Sequence, residues 1–246
     1  MRYPCMGDAF AHFKRLAKRW LRDPKAVVAS LVEPAAWLIF VGLAMPATFT
    51  ADYLAYVTPG IMVMAVLFSS LAGGSLLSYD RLQGFLSKFL ALPAPRESIL
   101  FGNVGFITFR GLLQAAIILA MALLFGVTLP GPVGDVLMLA SLALFGIFLS
   151  ALTITLGLII EDIVELSTFC SMISMPLFFS SSALMPYDKM PPWLRGIASV
   201  NPVSIVVDSV RHLMSGNIPY LDLMILAIMG IMALMFCTYV FRKATI

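Results

Sequence analysis

Charge is what this chain of 246 residues has least of: Asp, Glu, Lys and Arg make up 12% of it, about half the share of an ordinary soluble domain, against 61% hydrophobic residues. A water-facing surface cannot be assembled from so few charges. Cysteine is scarce as well. Cys5, Cys170 and Cys237 form an odd set with no paired spacing, which argues against a disulfide framework or a zinc site and leaves them as small packing residues. Only 2 histidines occur beside 16 methionines and 18 phenylalanines, with no His or Cys at ligand spacing, so no metal or cofactor box is expected. No Gly-Lys dipeptide exists, which excludes a phosphate-cradling G-x-x-x-x-G-K-[ST] loop on this chain. H-E-x-x-H and G-x-S-x-G are also absent, and no plausible Ser/His/Asp set remains; catalytic and cofactor-binding residues are accordingly none, and no nucleic-acid partner is expected. No A-x-A site closes the first apolar stretch, so the first span is expected to be retained rather than cleaved.

What the chain does have is long apolar runs. Stretches of about 20 residues, each able to cross a ~30 Å hydrocarbon layer as a helix, predict an all-α membrane protein and exclude a β-barrel, whose spans would be ~10 residues of alternating polarity. Six transmembrane helices are placed at 26–48, 54–78, 98–125, 135–160, 166–186 and 222–241. Ahead of them, residues 8–23 set Phe10, Phe13, Leu16, Ala17, Trp20 and Leu21 on one helical face and Lys14, Arg15, Lys18, Arg19 and Arg22 on the other, an amphipathic interfacial helix. Asp23-Pro24 then opens the first span. Residues 187–221, broken by Pro191, Pro192, Pro202 and Pro219, are too interrupted for a seventh span. The whole of 1–246 reads as a single transmembrane domain.

Six spans put both termini on one side. Seven Lys or Arg precede span one, three lie between spans two and three, and Arg242 with Lys243 follow span six, whereas the opposite side has only Lys189, Arg195 and Arg211. The basic side faces the cytoplasm, so a multi-pass protein of the inner (plasma) membrane with both termini cytoplasmic is expected.

Two ionisable residues fall inside the spans, Glu33 before Pro34 and Arg110 in span three. Charge at that depth costs ~3 kcal/mol on insertion scales and needs a partner or a wet cavity. A structural Glu33 to Arg110 bridge is the preferred expectation and a substrate path the competing one. Ser69, Ser70, Gly73, Gly74, Ser75 and Ser78 either admit a neighbouring helix closely or line a polar path. On the cytoplasmic side, residues 79–93 read as a short amphipathic helix: Leu82, Phe85, Leu86, Phe89 and Leu90 share a face, Arg81 and Lys88 lie off it, and Pro93 and Pro95 end it. Such a helix rests on the bilayer or fits a groove on another protein.

Four of these segments carry a resemblance. The opening through Arg22-Asp23-Pro24, the run Tyr53 to Gly60, the run Asp80-Arg81 to Pro93, and above all Met190 to Pro202 with Pro192, Trp193 and Asn201, continuing to Asp208, Arg211 and Gly216, are similar to the six-span permease subunits of ABC-2 type ATP-driven exporters. The chain resembles that family along nearly its whole length; its members include exporters of drugs, Nod factors, O-antigen and teichoic acid. The resemblance implies a transport subunit that is not itself an enzyme and moves an amphipathic or lipid-linked substrate outward. It also implies a second permease copy forming a homodimer, and two copies of a separate ABC ATPase carrying ATP and Mg. Residues 79–93 then form the coupling helix, with Asp80, Arg81, Leu82, Phe85, Leu86 and Phe89 toward the ATPase, and 187–221 form short re-entrant helices before the last span. The family often has a Glu after the coupling Arg where this chain has Gln83-Gly84, so of the polar positions only Asp80 and Arg81 are carried over. The alternative is an ion-coupled secondary transporter or a channel-like scaffold using Glu33 and Arg110, although no inverted repeat supports it.

Overall fold

The computed structural model describes residues 6–43, 53–84, 97–129, 131–160 and 162–244. Among them all regular structure is helical: α1 (Met6–Leu21), α2 (Pro24–Trp37) with a π-helical continuation (Leu38–Leu43), α3 (Tyr53–Leu82), α4 (Glu97–Leu124), α5 (Pro132–Ile159), α6 (Ile163–Phe179), a 3₁₀ turn (Tyr187–Lys189), α7 (Pro192–Val200), α8 (Pro202–Met214) and α9 (Tyr220–Ala244).

Among the described residues, five helices are long and apolar enough to cross a membrane: α2 with its continuation, α3, α4, α5 and α9. The stretch expected as a span at 166–186 is α6, an apolar helix 17 residues long and ended by turns from Ser180. At 1.5 Å per residue α6 reaches about 25 Å. Pro34 lies inside α2 and removes an N–H from the ladder four residues before the π-helical run begins, a familiar setting for such a widening.

α3 is the central helix. Ile61 through Leu67 are fully buried on every side, as expected of a helix that is apolar all round. α4 and α5 flank it, α8 caps one end, and α9 packs along α5. The outer faces stay apolar: Val28, Val32 and Phe40 on α2, and Ile231, Met232 and Met235 on α9, are exposed, which suits lipid rather than water.

Helix association in lipid depends on close approach, and small residues permit it. A methyl added at Gly74 would lie 2.7 Å from the Thr153 carbonyl oxygen of α5, and one at Gly73 would run into Ile107 of α4. Thr153 donates its hydroxyl to the Ser70 carbonyl at 2.9 Å and Ser78 donates to the Gly157 carbonyl at 3.3 Å. Gly73, Gly74, Ser70 and Ser78 therefore serve packing, whereas Ser69 and Ser75 face a cavity. The small-residue cluster thus divides between two faces of one helix, one packed against its neighbours and one lining the cavity.

Part of the apolar face of α1 is covered by protein, while Phe10 and Leu21 stay exposed. Leu16 and Trp20 are buried, and Phe13 and Trp20 meet Phe106 of α4 edge to face. α1, the end of α3, the start of α4 and the end of α9 thus share one end of the bundle, where Arg242 pairs with Glu97 at 2.8 Å. The opposite end holds Tyr53, Tyr56, the 3₁₀ turn and α8. Each of its short helices begins with a proline at a position where the missing N–H is harmless: Pro192 opens α7 and Pro202 opens α8.

Candidate functional site

Arg110 sits in the interior of α4, about 20 Å along the helix from Glu97. A guanidinium at that depth must be satisfied locally. Its Nε donates to the Ser69 hydroxyl at 2.9 Å and its Nη2 to the Ser69 carbonyl at 2.6 Å, so one residue of α3 holds one edge of the fork. The remaining edge has no partner among the described residues and borders an open-sided hollow of about 400 Å³ between α2, α3, α4 and α6.

That cavity is polar for its surroundings. α4 contributes Arg110 and Gln114, α3 Ser69 and Ser75, α2 Ser30 and Glu33, and α6 a stripe of Ser167, Ser171 and Ser174 at helical spacing. Pro34 adds to the polarity, because it has no N–H to offer the Ser30 carbonyl one turn earlier. Apolar groups, including Phe68, Leu166 and Met175, close the rest. Gln114 is buried, whereas Glu33, Ser167 and Ser171 are exposed; none of the four has a side-chain hydrogen bond among the described residues. Glu33 and Arg110 stand in the same wall, yet the ion pairs of the described residues do not include one between them. Ser69 takes the role that the sequence reading assigned to Glu33.

A second charged cluster lies at the far end of the bundle. Arg211 of α8 donates to the carbonyls of Tyr56, Ser182 and Ala183 at 2.9–3.2 Å, and its guanidinium carbon stands 3.7 Å over the Tyr56 ring. Asp208, 3.5 Å from Arg211, accepts from the Ser182 hydroxyl at 2.8 Å and from the Tyr187 phenol at 2.7 Å. Burial, and then the bond to Asp208, pushes the Tyr187 pKa up and keeps its phenol protonated. Asn201 caps α8 through Val203 N–H and donates to the Leu177 carbonyl at 2.7 Å. These side chains pin the 180–189 turns, α7 and α8 to α3, a positioning role. Trp193 is exposed on α7 with Ile197 and Val200, an apolar stripe.

At the α1 end, Tyr79 to Leu82 are the last turn of α3, and Gly84, at a positive φ of 69°, follows the end of the helix. Asp80 is buried and receives Arg15 at 2.7 Å and Arg19 at 3.9 Å, so α1 holds the carboxylate. Arg81 and Leu82 are exposed. Phe85, Leu86 and Phe89 lie outside the described residues. Beside this cluster His12 is buried against Asn103, with 3.3 Å between Nε2 and Nδ2. Burial, reinforced by Arg15, lowers its pKa to about 4 and leaves it neutral at pH 7.

Sequence reasoning missed Ser69 as the partner of Arg110, and it missed Gln114 and the α6 serines as cavity walls. The serine spacing of four and three is a helical stripe that was visible in advance. The pairing with Ser69 was not, because it depends on how α3 and α4 are rotated against each other.

The sequence profile of the ABC-2 type transporter family matches residues 8–215. The chain is 32% identical over 215 residues to a putative transport permease, ycf38, of Cyanophora paradoxa, covering 85% of this chain and 74% of that protein. It is 24% identical over 225 residues to the daunorubicin resistance ABC transporter permease protein DrrB1 of Streptomyces coeruleorubidus, covering 90% and 80%. To the inner membrane transport permease YadH of Escherichia coli K12 it is 23% identical over 163 residues, covering 65% and 62%.

Proposed function

The chain belongs to the ABC-2 type transporter family, and from that premise we propose that it is the permease subunit of an exporter that carries an amphipathic or lipid-linked substrate outward while a separate ABC ATPase hydrolyses ATP. The observation that carries the reading is the hollow: an open-sided polar recess lined by Arg110, between helices whose outer faces are apolar. A charge at that depth in a span is costly unless a ligand or water answers it. DrrB1, by its name a drug-resistance permease, supports an amphipathic substrate.

In this reading α6 also crosses the membrane, as the fifth of six spans in chain order. It starts beside the end of α5, and the turn after it, at Leu184, accepts the Tyr53 hydroxyl at the far end. The α1 end then faces the cytoplasm, with both termini, and α7 and α8 form re-entrant helices at the outer leaflet. Two permease copies pair, and two ATPase copies holding ATP and Mg dock through residues 79–93. Because Asp80 is bound by Arg15 and Arg19, a push at that segment reaches α1 as well as α3.

The test is co-purification of a tagged chain with a co-expressed ATPase subunit, and ATP turnover with and without it. The chain alone should show no hydrolysis. Phe85→Ala should weaken ATPase recovery by about 2 kcal/mol, or ~30-fold in affinity, at matched folding. ATP hydrolysis by the permease alone would overturn the division of labour, and undiminished recovery would return Phe85 to the lipid face. The family match favours this reading over an ion-coupled transporter.

A further inference from the structure

Taking the cavity as the substrate path, as proposed above, we infer that it is built for a zwitterionic polar head, one anionic group joined to one ammonium group, carried on an apolar body. Glu33 and Arg110 line the same hollow without pairing, and each keeps unused hydrogen-bonding capacity toward it. The lining therefore offers one negative and one positive charge. A purely anionic ligand answers Arg110 and meets repulsion from Glu33; a purely cationic one does the reverse; a zwitterion of matching polarity answers both.

The Gln114 amide and the Ser167 and Ser171 hydroxyls in the lining supply further donors and acceptors for the phosphate oxygens and the ammonium hydrogens. Phe68, Leu71 and Met175 offer the apolar body a surface. Arg110 takes the anion, Glu33 takes the amine, and Ser69 keeps the guanidinium aimed.

The full-length permease, purified from nanodiscs holding equal amounts of phosphatidylethanolamine, phosphatidylglycerol and a quaternary-ammonium lipid, is examined by native mass spectrometry for retained lipid. Phosphatidylethanolamine should be retained about ten- to a hundred-fold over either single-charge lipid, the worth of one charge-assisted hydrogen bond. Glu33→Gln should turn the preference toward phosphatidylglycerol and Arg110→Gln toward the cationic lipid, in opposite directions. A fold defect cannot produce that reciprocity, and Arg110→Lys should restore the wild-type order. Soluble O-phosphoethanolamine separates the sources: displacement of the lipid assigns the head group alone, and persistence assigns a lipid with its tails, both within the inference. Equal retention of the three lipids, or the same order in both charge variants, overturns it. If the two glutamine variants lower ATP turnover of the assembled permease and ATPase while lipid order is unchanged, the zwitterion fails and the export reading stands. If they change lipid order and no ATPase assembles, the export reading fails and the site stands.

Discussion

Removing Arg110 tests the central geometry directly. Arg110→Met discards two hydrogen bonds from a charged donor to Ser69, at 2.9 and 2.6 Å, each worth about 1.5–3 kcal/mol in a low-dielectric setting. Deleting the charge also ends its burial cost, so the expected net loss is only about 1–3 kcal/mol. Ser69→Ala should cost about 1–2 kcal/mol, because the carbonyl bond survives while the hydroxyl bond does not. The two substitutions share a bond, so their double-mutant cycle should show a coupling of about 1–2 kcal/mol. Glu33→Gln with Arg110→Met should be additive within about 0.5 kcal/mol, since no ion pair joins the two residues. Reversible unfolding by SDS titration in mixed micelles, followed by tryptophan fluorescence, reads all of these. A Glu33–Arg110 coupling of 3 kcal/mol or more would refute the reasoning and restore the bridge that the sequence suggests.

Three further outcomes are expected. His12, held neutral by burial with its pKa lowered to about 4 against 6.5 when unfolded, should withdraw stability as pH falls, because the unfolded chain takes up a proton that the folded one refuses. The loss begins near pH 6.5 and approaches roughly 3 kcal/mol by pH 4, at about 1.4 kcal/mol per pKa unit; His12→Gln should flatten that part of the stability profile, and an unchanged slope would refute it. Arg211→Ala strips donors from the carbonyls of Tyr56, Ser182 and Ala183 and should cost about 3–5 kcal/mol, with Arg211→Lys recovering little because an ammonium cannot reproduce the fork; equal stability of the Lys variant by the same SDS titration would contradict this. A cysteine at exposed Ser199 should react with an impermeant maleimide added outside intact cells and one at exposed Gln83 should not; the reverse pattern would invert the orientation.

Much of the fold was legible in one dimension. Apolar runs of about 20 residues, the proline breaks at 191, 192 and 202, and the charge periodicity of residues 8–23 each report a local requirement, to cross hydrocarbon, to end a helix or to keep one face polar. α7 and α8 appear where the broken segment was placed, each opened by its proline. The 166–186 stretch was less legible. Hydropathy continues past Phe179, but the chain turns at Ser180 because Asn201 donates to the Leu177 carbonyl and to the Ser180 hydroxyl, contacts made 24 and 21 residues away.

The candidate site divides the same way. That Arg110 and Glu33 needed answering follows from the sequence, since an ionisable group among apolar neighbours is anomalous wherever it is found. Who answers them is a matter of helix rotation and approach. Gly73 and Gly74 let α4 and α5 close on α3, and with the helices so set Ser69 meets the guanidinium, Asp80 meets Arg15 of α1, and Glu33 is left facing a cavity with Gln114. Hydropathy and charge are properties of the residue, and the sequence determines them alone. Partnership is a property of distance, and distances between helices arise only when small residues, caps and packed faces settle together.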